Sequence, residues 1–269
     1  MTYPRPSGVI RLVLGVFILI GMTACATSPT GQPQLKFFPE DQMAEMGQAA
    51  YQEIKQKTPV SQDAGLNQYV RCVAQAITRI VAPDTNWEVT VFQDKSANAF
   101  ALPGGKIGVN TGLLEVATNQ HQLATVIGHE IAHVQAHHGN ARMSASSLTQ
   151  AGLTLAQVFV GASSPEKQQL LGLLGAGAQV GVLLPYGRSQ ESEADRLGLE
   201  YMAQAGFDPQ ESVKLWRNMS AASGSQPPEF LSTHPAHGTR IEQLEAQMPT
   251  ALNLYQQAQA QGKTPNCRS

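Results

Sequence analysis

The chain has 269 residues, with 18 Lys and Arg against 20 Asp and Glu, and only 14% of it is charged. The near-neutral balance excludes a basic nucleic-acid footprint, and 42% apolar content excludes a charged disordered tail. The length is enough for one large domain or two small ones with a real core.

Arg5 and Arg11 are the only charges before Lys36, and the apolar run Leu12–Met22 that follows them is 11 residues long. A bilayer crossing needs about 20 apolar residues, so residues 1–24 read as a secretory signal peptide. Met22-Thr-Ala-Cys25 resembles a bacterial lipobox, which implies lipidation of Cys25. Acyl chains anchor by burying methylenes at roughly 0.8 kcal/mol each. The alternative is an ordinary signal peptide with a chance Cys. Ala26, where Asp would signal retention, points to a lipid-anchored protein of the bacterial outer membrane facing the periplasm. An exported compartment is oxidising, so Cys72 and Cys267 are expected to pair; two unrelated thiols are the alternative.

Residues 25–39, containing Ser28-Pro-Thr-Gly-Gln-Pro33, read as a flexible lipidated tether, and residues 40–269 as one domain. Helices are expected over Glu40–Lys57 and Asp63–Ile80, the second with Leu66, Tyr69, Val70, Val73, Ile77 and Ile80 on one face. Trp87–Phe92 alternates as a strand, and Asn98–Leu102, Pro103-Gly-Gly105 and Lys106–Val109 read as a hairpin. Thr111 is a candidate cap for a short helix ending at Val116. His121–His138 reads as a helix ended by Gly139-Asn140. The weakly charged stretch 144–184 reads as a helical hairpin turning at Ser163-Ser-Pro165 and covering the site, with membrane contact as the second reading. Helices over Arg188–Ala205, 209–222 and 238–260 complete a mostly helical α+β chain with one small sheet, and no internal repeat is visible.

The chemistry lies in His129-Glu-Ile-Ala-His133. On a helix, positions i and i+4 share a face, so both imidazoles reach one metal. Glu130 lies about 100° round the helix, where it reaches a water on that metal rather than the metal itself. Zinc lowers the pKa of such a water towards about 7, and the adjacent carboxylate takes the proton. Two surface histidines on a helix are the plain alternative. The metzincin pattern is excluded, because Ala136 and Gly139 stand where it requires Gly and His. His137 follows His133 by four, but three successive i+4 side chains fan out about 6 Å apart, too far for one tetrahedral ion. His137 and His138 read instead as cations at a helix C-terminus.

Glu191 is the better third ligand, 58 residues past His133 in Arg188-Ser-Gln-Glu-Ser-Glu-Ala-Asp195. Asp195 shares its face and can orient a histidine from behind, whereas Glu193 faces away. The other reading of this run is a solvated acidic helix face.

HExxH followed by ExxxD resembles the gluzincin peptidases that include HtpX, BepA and LoiP and their relative, the CAAX prenyl protease. The resemblance extends to Ala97–Gly105, Gly112-Leu-Leu114, Arg188–Gly198, and Leu231-Ser-Thr-His-Pro235 with Arg240, and spans roughly residues 40–250. It is strongest to exported lipoprotein members without a tetratricopeptide domain. It implies a zincin-like endopeptidase holding one zinc ion through His129, His133 and Glu191. Glu130 is then the base and Asp195 the residue behind the ligands. It also implies a role for His234 as a fourth, latching ligand or as an oxyanion donor; a loop histidine bonded to backbone is the alternative. The strand around Asn98, Ala99 and Phe100 is expected to pair with an extended substrate unless it is internal to the sheet. The expected substrates are misfolded or unassembled envelope proteins, with the N-terminal lipid as membrane contact and no nucleic acid. An envelope assembly chaperone with a latched zinc site is the alternative function.

Overall fold

The computed structural model describes residues 25–160, 186–221, 229–235 and 238–268. Residues 1–24, including the expected signal peptide, and 161–185, the second half of the expected hairpin, lie outside the described residues.

The chain begins with an antiparallel ribbon of β1 (Cys25–Thr27) and β2 (Pro33–Leu35), in which Cys25 pairs with Leu35. The flexible tether expected over residues 25–39 is therefore corrected. The ribbon is folded because its polar groups find fixed partners: Gln34 Nε2 donates to Ala136 O at 3.0 Å, and Thr30 binds Glu193. Helix α1 (Glu40–Lys57) follows, then α2 (Ala64–Val81), whose first turn is capped by Asp63 accepting from Leu66 N at 2.9 Å. The apolar face read from the α2 sequence is the buried one, with Val70, Val73 and Ile77 fully covered.

A three-stranded mixed sheet has the order β3–β5–β4, from β3 (Glu88–Phe92), β4 (Ala99–Leu102) and β5 (Lys106–Asn110). β3 runs parallel to β5, and β4 pairs antiparallel with β5 from Ala99↔Val109 to Leu102↔Lys106. The hairpin turn uses Gly104 and Gly105 at φ +82° and +73°, a region that side chains with Cβ avoid. Tyr51 of α1 fixes that helix to the sheet, its hydroxyl donating to Thr90 Oγ1 at 2.6 Å. The edge position of β4 decides that this strand is not internal.

Helix α3 (Leu113–Val116) has no side-chain cap; Thr111 donates its hydroxyl to Asp94 O instead, which corrects its expected capping role. Helix α4 (Gln120–Gln135) is capped by Asn119, and every residue from Gln122 to His133 is buried. A helix buried all round is the axis of the core. Leu123, Ile127 and Ile131 belong to one buried cluster with Val70, Val73 and Ile77 of α2, Ile107 and Val109 of the sheet, and Met202, Leu215 and Trp216 from the C-terminal helices. Each such side chain contributes about 1.5–3 kcal/mol on burial.

The expected stop at Gly139-Asn140 is corrected. The break falls at His137, in the left-handed region at φ 55°, and α5 (His138–Val160) starts at once. Asn140 is drawn into tertiary pairing rather than capping: it accepts from Phe38 N and donates to Phe38 O at 2.7 Å. No described helix is long and apolar enough to cross a membrane.

Helices α6 (Arg188–Gln204), α7 (Gln210–Ala221), α8 (Glu229–Thr233) and α9 (Arg240–Ala260) complete the chain. The α4–α6 crossing positions the site. A Cβ on Gly198 would lie 2.7 Å from His129 N, and one on Gly128 would lie 2.9 Å from Gly198 O. Two glycines face to face let the helix bearing the histidines approach the helix bearing Glu191. Cys72 of α2 and Cys267 of the tail are joined by a disulfide.

Candidate metal centre

His129 and His133 sit one turn apart on α4, and their Nε2 atoms lie 3.1 Å apart. From α6, Glu191 brings Oε2 to 3.5 Å from His129 Nε2 and Oε1 to 3.3 Å from His133 Nε2. From the end of α8, His234 Nδ1 lies 3.0 Å from Glu191 Oε1 and 3.2 Å from His129 Nε2. One ligand atom from each residue falls within 4.8 Å of all the others, and all four residues are buried. This donor set fits zinc: bonds of about 2.0–2.1 Å in a tetrahedron put neighbouring ligands about 3.4 Å apart. Two buried imidazole nitrogens at this separation need a cation or a proton between them.

The surrounding charges agree. Glu130, Glu191 and Asp195 are buried beside Arg240, the one buried guanidinium among the described residues. The carboxylates outnumber the guanidinium, a buried excess of negative charge that a divalent cation would offset. Burial opposes ionisation of Glu191, but hydrogen bonds from His129, His133 and His234 outweigh it and hold the carboxyl far below its ordinary range. Burial likewise disfavours charge on His129, yet Asp195 and Glu191 outweigh it and raise the ring to about 10. At His133 burial prevails and pushes the pKa well down, which keeps the ring neutral and fit to bind a metal.

Behind the ligands, His129 Nδ1 donates to Asp195 Oδ1 at 3.0 Å, which leaves its Nε2 free for the cluster. Arg240 donates from Nε to Asp195 Oδ2 at 2.6 Å and from Nη2 to Glu191 Oε2 at 2.5 Å, and lies 4.0 Å over the ring of Trp216. One side chain thus orients two of the acids. His133 has its own support: its Nδ1 is 2.8 Å from Nδ1 of His138, whose Nε2 is 3.2 Å from Glu193 Oε2. His138 is 1% exposed, opens the next helix, and has its pKa lowered by burial, so the reading of it as a cation at a helix C-terminus is corrected. The acidic run on α6 is no solvated face either, since Glu191, Glu193 and Asp195 are all buried.

Glu130 aims at the cluster without joining it. Its Oε2 accepts from Ala101 N of β4 at 3.3 Å. Oε1 lies 3.3 Å from His234 Nε2 without hydrogen-bond geometry and has no hydrogen-bond partner among the described residues. Burial raises the carboxyl above its ordinary pKa, against the nearby histidines.

Of the residues expected on the substrate strand, Asn98 precedes β4, with its side chain bonded to Ala99 N. Phe100 stacks on Phe92 at 6.0 Å and crowds Gly108, so its ring anchors the strand from the sheet face rather than meeting the cluster. Ala101, whose amide touches the base, is the strand residue next to the centre. Tyr186 was not legible as part of the site: its ring stacks on His133 at 4.0 Å. A cleft of about 520 Å³ runs past these groups, bounded by Met43, Trp87, Leu102, Pro103, His133 and Tyr186. A wider groove of about 880 Å³ along α2 contains none of the cluster residues.

The family model of peptidase family M48 matches residues 62–248, a stretch containing all four ligand-bearing residues, Glu130, Asp195 and Arg240. The mitochondrial metalloendopeptidase OMA1 of Schizosaccharomyces pombe is 33% identical over 228 residues, covering 82% of this chain and 64% of its own. The mitochondrial metalloendopeptidase OMA1 of Homo sapiens is 29% identical over 259 residues, covering 89% of this chain and 49% of its own. The beta-barrel assembly-enhancing protease of Escherichia coli is 30% identical over 209 residues, covering 74% and 42%. The chain spans about half the length of such relatives. Because several of the most similar proteins are mitochondrial by name, the lipid-anchored outer-membrane location expected from the N-terminus is overturned. With the match running through the whole buried cluster, from the HExxH helix to Arg240, the chain belongs to peptidase family M48.

Proposed function

We propose that this protein is a zinc-dependent endopeptidase that cleaves extended segments of unfolded or unassembled polypeptides. The observation that carries this reading is the buried base: Glu130 has one oxygen tied to the edge strand and the other, near His234, without a hydrogen-bond partner among the described residues, beside four convergent residues able to hold a metal. His129, His133 and Glu191 would hold one zinc ion per chain. Zinc there supplies Lewis acidity towards a scissile carbonyl and a water whose pKa falls towards about 7.

The chain's own residues do the rest. Glu130 accepts a proton at Oε1, which has no hydrogen-bond partner among the described residues, and returns it to the leaving amine. Asp195 holds His129 in the tautomer that offers Nε2 to the metal, and Arg240 holds Glu191 and Asp195 against rotation. β4 is an edge strand, so an extended peptide can add to the sheet beside Glu130, with apolar side chains entering the cleft past Leu102 and Trp87. A substrate must be extended to pair along β4, and unfolded chains supply such segments most readily, which is the physical ground for an unfolded substrate.

The reading is tested by metal removal. Chelation is expected to abolish cleavage of an unfolded casein-type substrate, and one equivalent of zinc per chain to restore it. Full activity in protein shown by elemental analysis to hold no metal would reject the proposal.

A further inference from the structure

His129 has a carboxylate behind it; His133 has a histidine. Its Nδ1 lies 2.8 Å from Nδ1 of His138, two nitrogens that can bond only if one donates and the other accepts. If Nε2 of His133 serves the metal, its proton resides on Nδ1, and His138 must accept at Nδ1. His138 then carries its own proton on Nε2, which faces Glu193 Oε2 at 3.2 Å. The other oxygen of Glu193 accepts from Thr30 Oγ1 at 2.6 Å and Thr30 N at 3.2 Å. The tautomers are consistent along the whole row, and His138 and Glu193 are 1% and 3% exposed. Thr30 belongs to the turn of the N-terminal ribbon, upstream of the region matched by the family model.

We propose that His138 and Glu193 are positioning residues that fix the tautomer and orientation of His133, and that the N-terminal ribbon anchors this row through Thr30. Two kinds of support then act on the two histidines of one motif: an acid held by Arg240 behind His129, and a histidine and acid held by the ribbon behind His133. Such partners behind a metal-bound histidine typically change metal affinity 10–100-fold when removed. The break at His137 has a place in this scheme, since it turns the chain so that His138 opens a new helix facing His133.

The proposal rests on the zinc reading, and its test separates the two. Zinc dissociation constants are measured by chelator competition for the wild type, His138→Leu, His138→Gln and Thr30→Val. His138→Leu is expected to bind zinc at least tenfold more weakly. His138→Gln, whose carbonyl can still accept from His133, is expected within about threefold of wild type. Thr30→Val removes one hydroxyl from a half-buried turn and is expected to weaken binding a few-fold. The tautomers are read in the wild type itself by ¹⁵N NMR of the zinc-loaded protein, with His133 protonated at Nδ1 and His138 at Nε2 only. A proton on Nδ1 of His138, or unchanged zinc affinity in both His138→Leu and Thr30→Val, overturns the proposal. A wild type that binds no zinc overturns the metal reading and this one with it.

Discussion

At His234 three contacts define the resting arrangement: Glu191 and His129 on one ring nitrogen and Glu130 near the other. The ring is stacked on Phe230 at 4.6 Å, and its amide continues the last turn of α8 by donating to Phe230 O. A fourth ligand in this position would close the centre to substrate, as a latch does. On that account His234→Ala raises basal proteolysis several-fold with zinc content unchanged, measured on an unfolded reporter peptide. A fall in activity with zinc still bound would assign the ring to the oxyanion instead. The HExxH pair and the Glu191–Asp195 pair were legible in the sequence because each is one helical turn, so spacing alone put the members on one face. The contacts of Arg240 with Glu191 and Asp195, and the His138–Glu193 contact, were not. Arg240 is 49 residues from Glu191, and His138 is 55 from Glu193, so only the packing of separate helices brings them together. Arg240 also illustrates why removing one partner is severe: the acids it leaves behind are buried and uncompensated, a loss of about 3–5 kcal/mol in comparable settings.

Helices α4 and α6 carry the ligands, and their spacing depends on Gly128 and Gly198 at the crossing. The N-terminal end of α4 is held differently. Glu211 at the start of α7 accepts from Asn119 Nδ2 and Gln122 Nε2, each at 2.9 Å, and from Lys214. Although burial works the other way, these bonds lower its pKa from 4.5 to about 2. A depressed carboxyl stabilises the fold above its unfolded pKa and loses that contribution as pH falls through the folded one. The tie therefore weakens between about pH 4.5 and 2. Glu211→Gln is expected to lose on the order of 1 kcal/mol at neutral pH and to flatten the stability profile across that window, read by denaturant unfolding. A profile identical to wild type would exclude the tie. At this scale the sequence misled at the ribbon, at the Thr111 cap and at the end of α4. Gly139 and Asn140 look like a helix stop, yet the left-handed residue is His137, because Asn140 is committed to the backbone of Phe38.

Across the whole molecule charge is scarce, at 14% of residues, and some of it is spent deep inside. Glu130, Glu191, Glu193, Asp195 and Arg240 are all buried around one point. Such a cluster is destabilising unless its charges are matched, so a divalent cation would stabilise the fold as well as the chemistry. Two distant parts of the chain converge on the motif helix. The ribbon bonds to Ala136 O at its C-terminal end, and the tail bonds to Gln120 at its first residue, with Cys267 N donating at 2.8 Å. The disulfide to Cys72, 195 residues away, holds that tail, and closing so long a loop is worth about 5 kcal/mol in the chain-entropy account. Both attachments lie outside the family-matched region, and each restrains the helix that bears His129, Glu130 and His133. The central claim is that this restrained helix presents Glu130 as a base to a metal it does not itself bind. The most direct measurement is the cleavage rate of zinc-loaded Glu130→Gln on an unfolded substrate, beside wild type with the same zinc content. A rate at least a hundredfold lower is predicted; cleavage at the wild-type rate would contradict the account.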